Sequence, residues 1–125
     1  MGYGRKISGG KYHKFRKKKK YERPGLDRKV KLRTIKRKKL RMMGGKNKTI
    51  LLSADYANVL DPVSKKAKKV KIKNVVETPS NRFLARQNIL VKSAIIDTEL
   101  GKAKITNRPS QEGSVQAELL NIDKS

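Results

Sequence analysis

The clearest strand signal in the sequence is the run Lys69-Val70-Lys71-Ile72-Lys73-Asn74-Val75-Val76-Glu77. Alternate residues of a strand point to opposite faces, so we expect Val70, Ile72 and Val76 to share one face with Asn74 and the lysines to occupy the other. Val75 interrupts this alternation, which indicates a β-bulge or burial on both faces. The run therefore predicts a β-fold with a basic outer surface.

A basic hairpin is predicted on the N-terminal side of this strand. Residues 28–34 alternate between apolar and basic side chains, which is typical of a strand, and residues 35–43 are expected to remain extended. Gly44-Gly45 is typical of a hairpin turn, after which residues 49–53 form the returning strand. Residues 55–64 are expected to form a loop.

Short strand signals alternate with turns on the C-terminal side. We expect a turn at residues 78–81, a short helical turn near residues 88–90, and strands at 94–98, 102–107 and 114–121. Inward positions are predicted for Ala103 and Ile105 on the second of these strands and for Val115, Ala117 and Leu119 on the third. Several short strands separated by Gly, Pro and Asn turns indicate a small antiparallel barrel or sandwich. The predicted fold is mainly β, a small antiparallel β-barrel with a long basic extended N-terminal arm.

Positive charge is concentrated in the first two fifths of the 125-residue chain. Residues 1–49 hold 21 Lys and Arg against two acids, a net charge of +19, whereas residues 50–125 have a net charge of +5. Residues 1–27 show no apolar period, so we expect this N-terminal arm to be disordered when free and to order on a partner, with a purely solvated tail as the alternative. The predicted domain organisation is the arm at 1–27 and a barrel domain at 28–125, joined by a basic strand at 28–43.

Charge at this density predicts a polyanionic partner, because like charges repel until counterions or an anionic partner neutralise them. No apolar run approaches the ~20 residues of a spanning helix, and no amphipathic helix suits a membrane surface. The arm lacks a helical period, and basic strand faces are predicted at Lys69, Lys71 and Lys73 and at Lys102 and Lys104. These features favour folded RNA over regular duplex DNA, with a chromatin-type DNA-binding protein as the alternative.

Four of the six aromatic residues, Tyr3, Tyr12, Phe15 and Tyr21, lie among the cations of the arm. Their rings could stack on exposed bases or pack back on the barrel, and the sequence leaves both possibilities open. The predicted RNA-binding residues are these four together with Arg5, Lys6, Lys11, His13, Lys14, Arg16, Lys17, Lys18, Lys19, Lys20, Arg23, Arg28, Lys36, Arg37, Lys38, Lys39, Arg41, Gly44, Gly45, Lys46 and Lys48.

No enzyme signature is found in the sequence. His13, the sole histidine, has no acid nearer in sequence than Glu22, and Asp97 and Glu99 form a two-apart pair that is expected to be solvated. There is no cysteine, no metal-binding spacing and no phosphate-cradling glycine motif. We therefore predict no catalytic activity, cofactor, metal or small-molecule substrate.

Several motifs resemble an archaeal–eukaryotic family of small-subunit ribosomal proteins, protein eight of the e-type. They are Ser8-Gly9-Gly10-Lys11, the basic run at 16–22, the Gly-Gly turn within 41–48, and the stretches 75–82, 88–96 and 102–109. The resemblance implies a structural component of the 30S-type subunit in the cytoplasmic ribosome, with ribosomal RNA and neighbouring ribosomal proteins as partners and no homo-oligomer. It also implies a β-barrel with an N-terminal extension in RNA, and the short length resembles archaeal members. Residues 55–60 depart from the family's aromatic run, and Met42 and Met43 replace a more basic stretch.

Overall fold

The computed structural model describes residues 4–13, 16–23, 25 and 27–120. In these ranges nine strands and one α-helix are present, in the order β1 (Val30–Leu32), β2 (Lys36–Arg41), β3 (Asn47–Ala54), β4 (Tyr56–Leu60), β5 (Ala67–Glu77), α1 (Arg82–Arg86), β6 (Ile89–Leu90), β7 (Ile95–Thr98), β8 (Gly101–Ile105) and β9 (Gln116–Leu119). Two short 3-10 turns occur at Lys20–Glu22 and Met43–Gly45.

Five strands close into a barrel in the order β4-β5-β7-β8-β9. Neighbouring strands are antiparallel except where β4 meets β9, where Asn58 pairs with Gln116 in a parallel ladder. Closure pairs every strand on both sides and so removes exposed sheet edges. The predicted mainly β fold with a small barrel is confirmed, although one of its five pairings is parallel.

The remaining strands form a second sheet in the order β2-β3-β1-β6, which the sequence did not predict as a separate layer. β2 and β3 are an antiparallel hairpin, as predicted, and the turn between them contains Gly44 and Gly45 at φ values of +70° and +74°. Both glycines occupy the left-handed region that other residues rarely adopt. β1 pairs in parallel with β3 and antiparallel with β6, so β2 is left as an edge strand.

One apolar core is shared by the barrel and the second sheet. Ile96 and Ile105 are buried within the barrel, and Leu51 from β3 joins the same cluster of contacting side chains. The backbone N–H of Leu51 also donates to the carbonyl oxygens of Pro109 at 3.4 Å and Glu112 at 3.1 Å, in the loop between β8 and β9. The second sheet is therefore anchored to the barrel through its central strand.

The predicted loop at residues 55–64 is wrong for its first half, because residues 56–60 form β4. Ala57 and Val59 are buried, while the alternate residues face outward, and the strand pairs with β5 on one side and β9 on the other. The alternating signal is weak because its inward residues include a small alanine. The loop itself is confined to residues 61–66, where Asp61 accepts hydrogen bonds from the Val63 N–H and the Ser64 hydroxyl.

The predicted bulge in β5 is confirmed, but its direction differs from the expectation. Val75 faces the core with 3% of its surface exposed, whereas Val76, predicted to face inward, is 46% exposed. The pairing of β5 with β7 shifts register between Ile72 and Asn74 and again after Val75. Each shift reverses which residues point inward, so Asn74 is also exposed.

The predicted helical turn near residues 88–90 is misplaced. The helix is α1 at Arg82–Arg86, where the Asn81 side-chain oxygen accepts a hydrogen bond from the Phe83 N–H at 3.0 Å and caps the N-terminus. Ile89–Leu90 is instead strand β6, whose pairing with β1 buries both side chains. Burial against a distant strand outweighs the partly helical spacing of this segment.

Candidate nucleic-acid interface

The basic hairpin, defined here as residues 36–48, carries seven Lys and Arg and no acid. Alternation places Lys38 on one face of β2 and Arg37, Lys39 and Arg41 on the other, and all four are exposed. Because β2 is the edge of its sheet, its outer backbone groups have no strand partner. The hairpin thus presents positive charge on two faces and along one edge.

The turn of the basic hairpin combines exposed backbone with exposed side chains. The Met42 N–H donates to the Lys46 carbonyl oxygen at 2.7 Å, which closes the turn around Gly44 and Gly45. No atom lies within 4 Å of the position that a Cβ would occupy on either glycine. Glycine is therefore needed here for its positive φ, and the open surroundings allow a partner to approach the backbone closely.

No acidic residue neutralises this part of the chain. Residues 28–50 contain eleven Lys and Arg and no Asp or Glu. Across the described ranges the single ion pair joins Arg16 to Glu22, outside this segment. Self-repulsion within such a segment is relieved by counterions or by a polyanion, so the fold holds a site suited to phosphates.

The described part of the N-terminal arm is almost entirely exposed, and besides the 3-10 turn at Lys20–Glu22 it contains a local turn near its start. Arg5 and Lys11 form an isolated antiparallel bridge, and the Lys6 N–H donates to the Gly10 carbonyl oxygen at 2.8 Å. Gly9 has a φ of +78°, which accounts for glycine in this turn. The other predicted contacts that the structure describes in the arm are exposed and therefore available to a partner. They include His13, Arg23 and Lys17 to Lys20.

The two described aromatics of the arm are exposed and lie beside cations. The Lys6 ammonium lies 5.7 Å from the centre of the Tyr12 ring, and the Lys19 ammonium lies 6.0 Å from that of Tyr21. Tyr21 is 79% exposed, so its ring is available for stacking. The predicted contacts Tyr3, Lys14 and Phe15 fall outside the described residues.

Among the predicted contacts that the structure describes, Arg16 is the one that forms an ion pair. Its guanidinium donates two hydrogen bonds to the Glu22 carboxylate, at 2.9 and 2.6 Å, and the Lys19 N–H donates a third at 3.1 Å. The hydrogen bonds from Arg16 and Lys19 hold the pKa of Glu22 below its usual range. A phosphate that binds Arg16 must therefore compete with Glu22.

The two predicted basic faces of the barrel differ in their neighbours. On β8, Lys102 pairs across the ladder with Asp97, and Lys104 pairs with Glu118, so acids offset part of the charge. On β5, the Lys69 ammonium lies 4.9 Å from the centre of the Tyr56 ring. The β5 face is therefore the better candidate for anion binding, and Tyr56, which the sequence reasoning assigned to a loop, belongs to it.

A groove of about 310 Å³ connects the basic hairpin with the β5 face. Its lining includes Arg37 from β2 and Lys69 from β5, together with Asp55 and Tyr56. One carboxylate oxygen of Asp55 is buried without a hydrogen-bond partner among the described residues. The groove brings together cations that lie more than thirty positions apart in sequence, which the sequence could not indicate.

Three residues of α1 form a surface that the sequence reasoning missed. Arg82, Phe83 and Arg86 point outward from the helix, and both guanidinium groups lie within 6 Å of the Phe83 ring centre. The sequence feature that indicates this surface is the Arg-Phe-x-x-Arg spacing at residues 82–86. The predicted helical turn begins six residues after the true start of α1, so this spacing was not assigned to a helix.

Nothing within the described ranges indicates a metal centre or a membrane span. No group of three or more His, Asp or Glu side chains lies close enough together to hold a metal ion. No helix in those ranges is long and apolar enough to cross a bilayer.

Comparison with known proteins provides an independent assignment. The family model for ribosomal protein S8e matches residues 3–120. The chain is 52% identical over 118 residues to the small ribosomal subunit protein eS8 of Sulfolobus acidocaldarius, covering 93% of this chain and 91% of that protein. It is 48% identical over 117 residues to the protein of the same name from Sulfurisphaera tokodaii, with 93% and 91% coverage.

A third relative, the small ribosomal subunit protein eS8 of Methanococcus aeolicus, is 47% identical over 118 residues, with 94% of this chain and 92% of that protein covered. The match therefore extends over the arm, the basic hairpin and the barrel alike, and the relatives are archaeal. The family is one of structural proteins rather than enzymes. On this evidence, the chain belongs to the ribosomal protein S8e family.

Proposed function

We propose that this protein is a structural constituent of the small ribosomal subunit, where it binds and stabilises folded ribosomal RNA in the cytoplasmic ribosome. The contacts are made by the N-terminal arm, residues 1–27, and by the basic hairpin. A single copy lies among neighbouring ribosomal proteins, without forming a homo-oligomer. The acid-free cationic segment at 28–50, whose strand β2 lies at the edge of its sheet, is the observation that carries this proposal.

The mechanism is neutralisation of crowded phosphates at a defined position. RNA helices pack together only if their phosphate charge is offset, and each bound Lys or Arg releases condensed counterions into solution. The basic hairpin is anchored through Leu51 to the shared core, so its cations are held in place rather than diffusing on a tether. The arm adds cations and rings that follow irregular RNA surfaces, where bases are accessible for stacking.

Salt-dependent binding to small-subunit ribosomal RNA tests this proposal. If the arm and the basic hairpin contact roughly 6–10 phosphates, the affinity falls about 10³- to 10⁵-fold between 50 and 200 mM salt. A flat salt response would contradict the mechanism. Equal affinity for RNA and for duplex DNA at physiological salt would favour the chromatin-type alternative.

A matched pair of charge variants assigns the effect to the basic hairpin. Replacing Lys38, Lys39 and Arg41 by Gln should reduce the slope of log affinity against log salt by about two to three units, since each lost phosphate contact contributes nearly one. The control replaces Lys65, Lys66 and Lys68, which are exposed in the loop between β4 and β5 and at the start of β5, and removes the same charge. Equal loss in both variants would show that binding depends on net charge alone.

A further inference from the structure

The outer surface of α1 carries an exposed aromatic ring beside two cations. Phe83 is 56% exposed, and the guanidinium carbons of Arg82 and Arg86 lie 5.8 and 5.9 Å from its ring centre. The inward side of the helix is formed by Ala85, which packs against the core. An exposed phenyl ring contributes little to folding, so its position close to two guanidinium groups points to a role at the surface.

The helix is held rigidly at both ends. Asn81 caps its N-terminus, and at the other end the Asn88 N–H donates to the Ala85 carbonyl oxygen at 2.9 Å. The Asn88 side-chain oxygen accepts a hydrogen bond from the Val75 N–H at 3.3 Å, and its carbonyl oxygen accepts one from the Leu32 N–H at 2.9 Å. These bonds connect α1 to β5 and β1, which gives the outward residues a fixed orientation.

A groove of about 500 Å³ lies beside this helix, between α1 and the bulged end of β5. Its lining combines apolar surface from Val76 and Ala85 with polar groups from Asn74 and Thr78. The register shift in β5 turns Val76 outward and so creates the apolar part of this lining. Phe83 does not line the groove, but its two arginine neighbours, Arg82 and Arg86, do, so the guanidinium groups connect the exposed ring to the groove.

The charges at the groove favour an anion. Arg82 and Arg86 both line it, and neither forms an ion pair within the described ranges. Glu77 is the one acid in the lining, so the surface keeps a net positive charge. Arginine forks bind phosphate oxygens bidentately, whereas exposed bases stack on phenyl rings and guanidinium planes.

We propose that Arg82, Phe83 and Arg86, together with this groove, bind one unstacked nucleotide of folded RNA. The base stacks on Phe83, and its phosphate is bound by the two guanidinium groups. Bases inside a regular duplex cannot reach the ring, so the site selects loops, bulges or strand ends. This inference rests on the proposed RNA-binding function but concerns residues outside the arm and the basic hairpin.

A fluorescence experiment tests the stacking directly. The chain contains no tryptophan, so Phe83→Trp introduces a single indole at the site. Saturating small-subunit ribosomal RNA is expected to quench its emission, whereas a perfectly paired RNA duplex is not. The control is Val63→Trp, which is 77% exposed in the loop before β5, at the opposite end of that strand from α1, and whose emission should not change.

Affinity measurements with the full chain provide a second readout. Phe83→Leu keeps an apolar side chain on the exposed surface but removes the π-face, and it should weaken binding roughly 5- to 150-fold, the range for loss of one stacked base. Arg82→Gln with Arg86→Gln should lower the salt slope by about one unit or slightly more. Circular dichroism establishes that each variant is folded.

The outcomes separate this inference from the proposed function. The nucleotide site would be overturned if ribosomal RNA does not quench the Phe83→Trp variant and the Phe83→Leu variant binds with unchanged affinity. If RNA binding still depends on salt in that case, the proposed function remains intact. Quenching by the paired duplex as strongly as by ribosomal RNA would also overturn it. Absence of any RNA binding by the unaltered chain would overturn both.

Discussion

Leu51 connects the sheet that carries the basic hairpin to the barrel, so Leu51→Ala tests whether the two form one cooperative unit. The side chain has 0% exposed surface and lies in the same core cluster as Ile96 and Ile105. Its backbone bonds to the β8–β9 loop do not involve the side chain and remain in the variant. The substitution therefore removes core packing alone.

The expected cost follows from the burial. Truncation of a fully buried leucine to alanine costs about 3–5 kcal/mol, since both transfer energy and cavity formation contribute. For a folded unit of roughly 100 residues, each kcal/mol lowers the midpoint of thermal unfolding by about 4–8 °C, which gives a decrease of roughly 10–40 °C. A domain of this size has a total stability of only about 5–15 kcal/mol, so the variant retains little of it.

Denaturant unfolding followed by circular dichroism measures this effect. A single transition with an unchanged slope and a lower midpoint is expected, because the barrel and the second sheet share one core. Leu60→Ala, on the outward face of β4, is the matched control and should cost about 1 kcal/mol or less. A loss below 1 kcal/mol for Leu51→Ala, or two separate transitions, would refute the shared core.

Three further predictions follow from individual residues. Gly44→Ala should destabilise the fold by about 1–2 kcal/mol in the same unfolding assay, because a residue with a Cβ must adopt the left-handed conformation, and an unchanged midpoint would contradict this. Because the pKa of Glu22 is lowered, its contact with Arg16 is present above the ordinary carboxyl range and is lost as the pH falls through the lowered value. An NMR titration of Glu22 should have a depressed midpoint that Arg16→Gln raises towards the ordinary value, and an unchanged midpoint in that variant would contradict the assignment. Val75→Asp should cost several kcal/mol and Val76→Asp less than about 1 kcal/mol, and the reverse order would show that the bulge is assigned to the wrong residue.

Local patterns in the sequence predicted much of the barrel. The inward positions of Ala103 and Ile105 on β8, and of Val115 and Ala117 near β9, agree with the burial in the structure. These strands alternate cleanly, and alternation is a property that neighbouring residues encode by themselves. The Gly44-Gly45 hairpin was predictable for a similar reason, since a tight turn requires positive φ values that glycine adopts without strain.

Segments whose conformation depends on distant partners were predicted poorly. β4 reads as a loop in isolation, but pairing with β5 and β9 makes it a barrel strand. Ile89–Leu90 has ambiguous spacing, and its pairing with β1, nearly sixty residues earlier in the chain, decides that it is a strand. The outward turn of Val76 depends on the register between β5 and β7, which no local window contains.

The sequence by itself determined the charge of this protein, the acid-free segment at 28–50, the polyanionic class of partner and the family motifs, because composition and short spacings encode them directly. Only the tertiary structure decided where those charges lie. Strand pairing placed β2 at a sheet edge, joined Arg37 and Lys69 in one groove, and brought Arg82 and Arg86 of α1 to the groove at the bulged end of β5. Such juxtapositions arise from register and packing between residues far apart in the chain, and the free energy that selects them is that of the whole core.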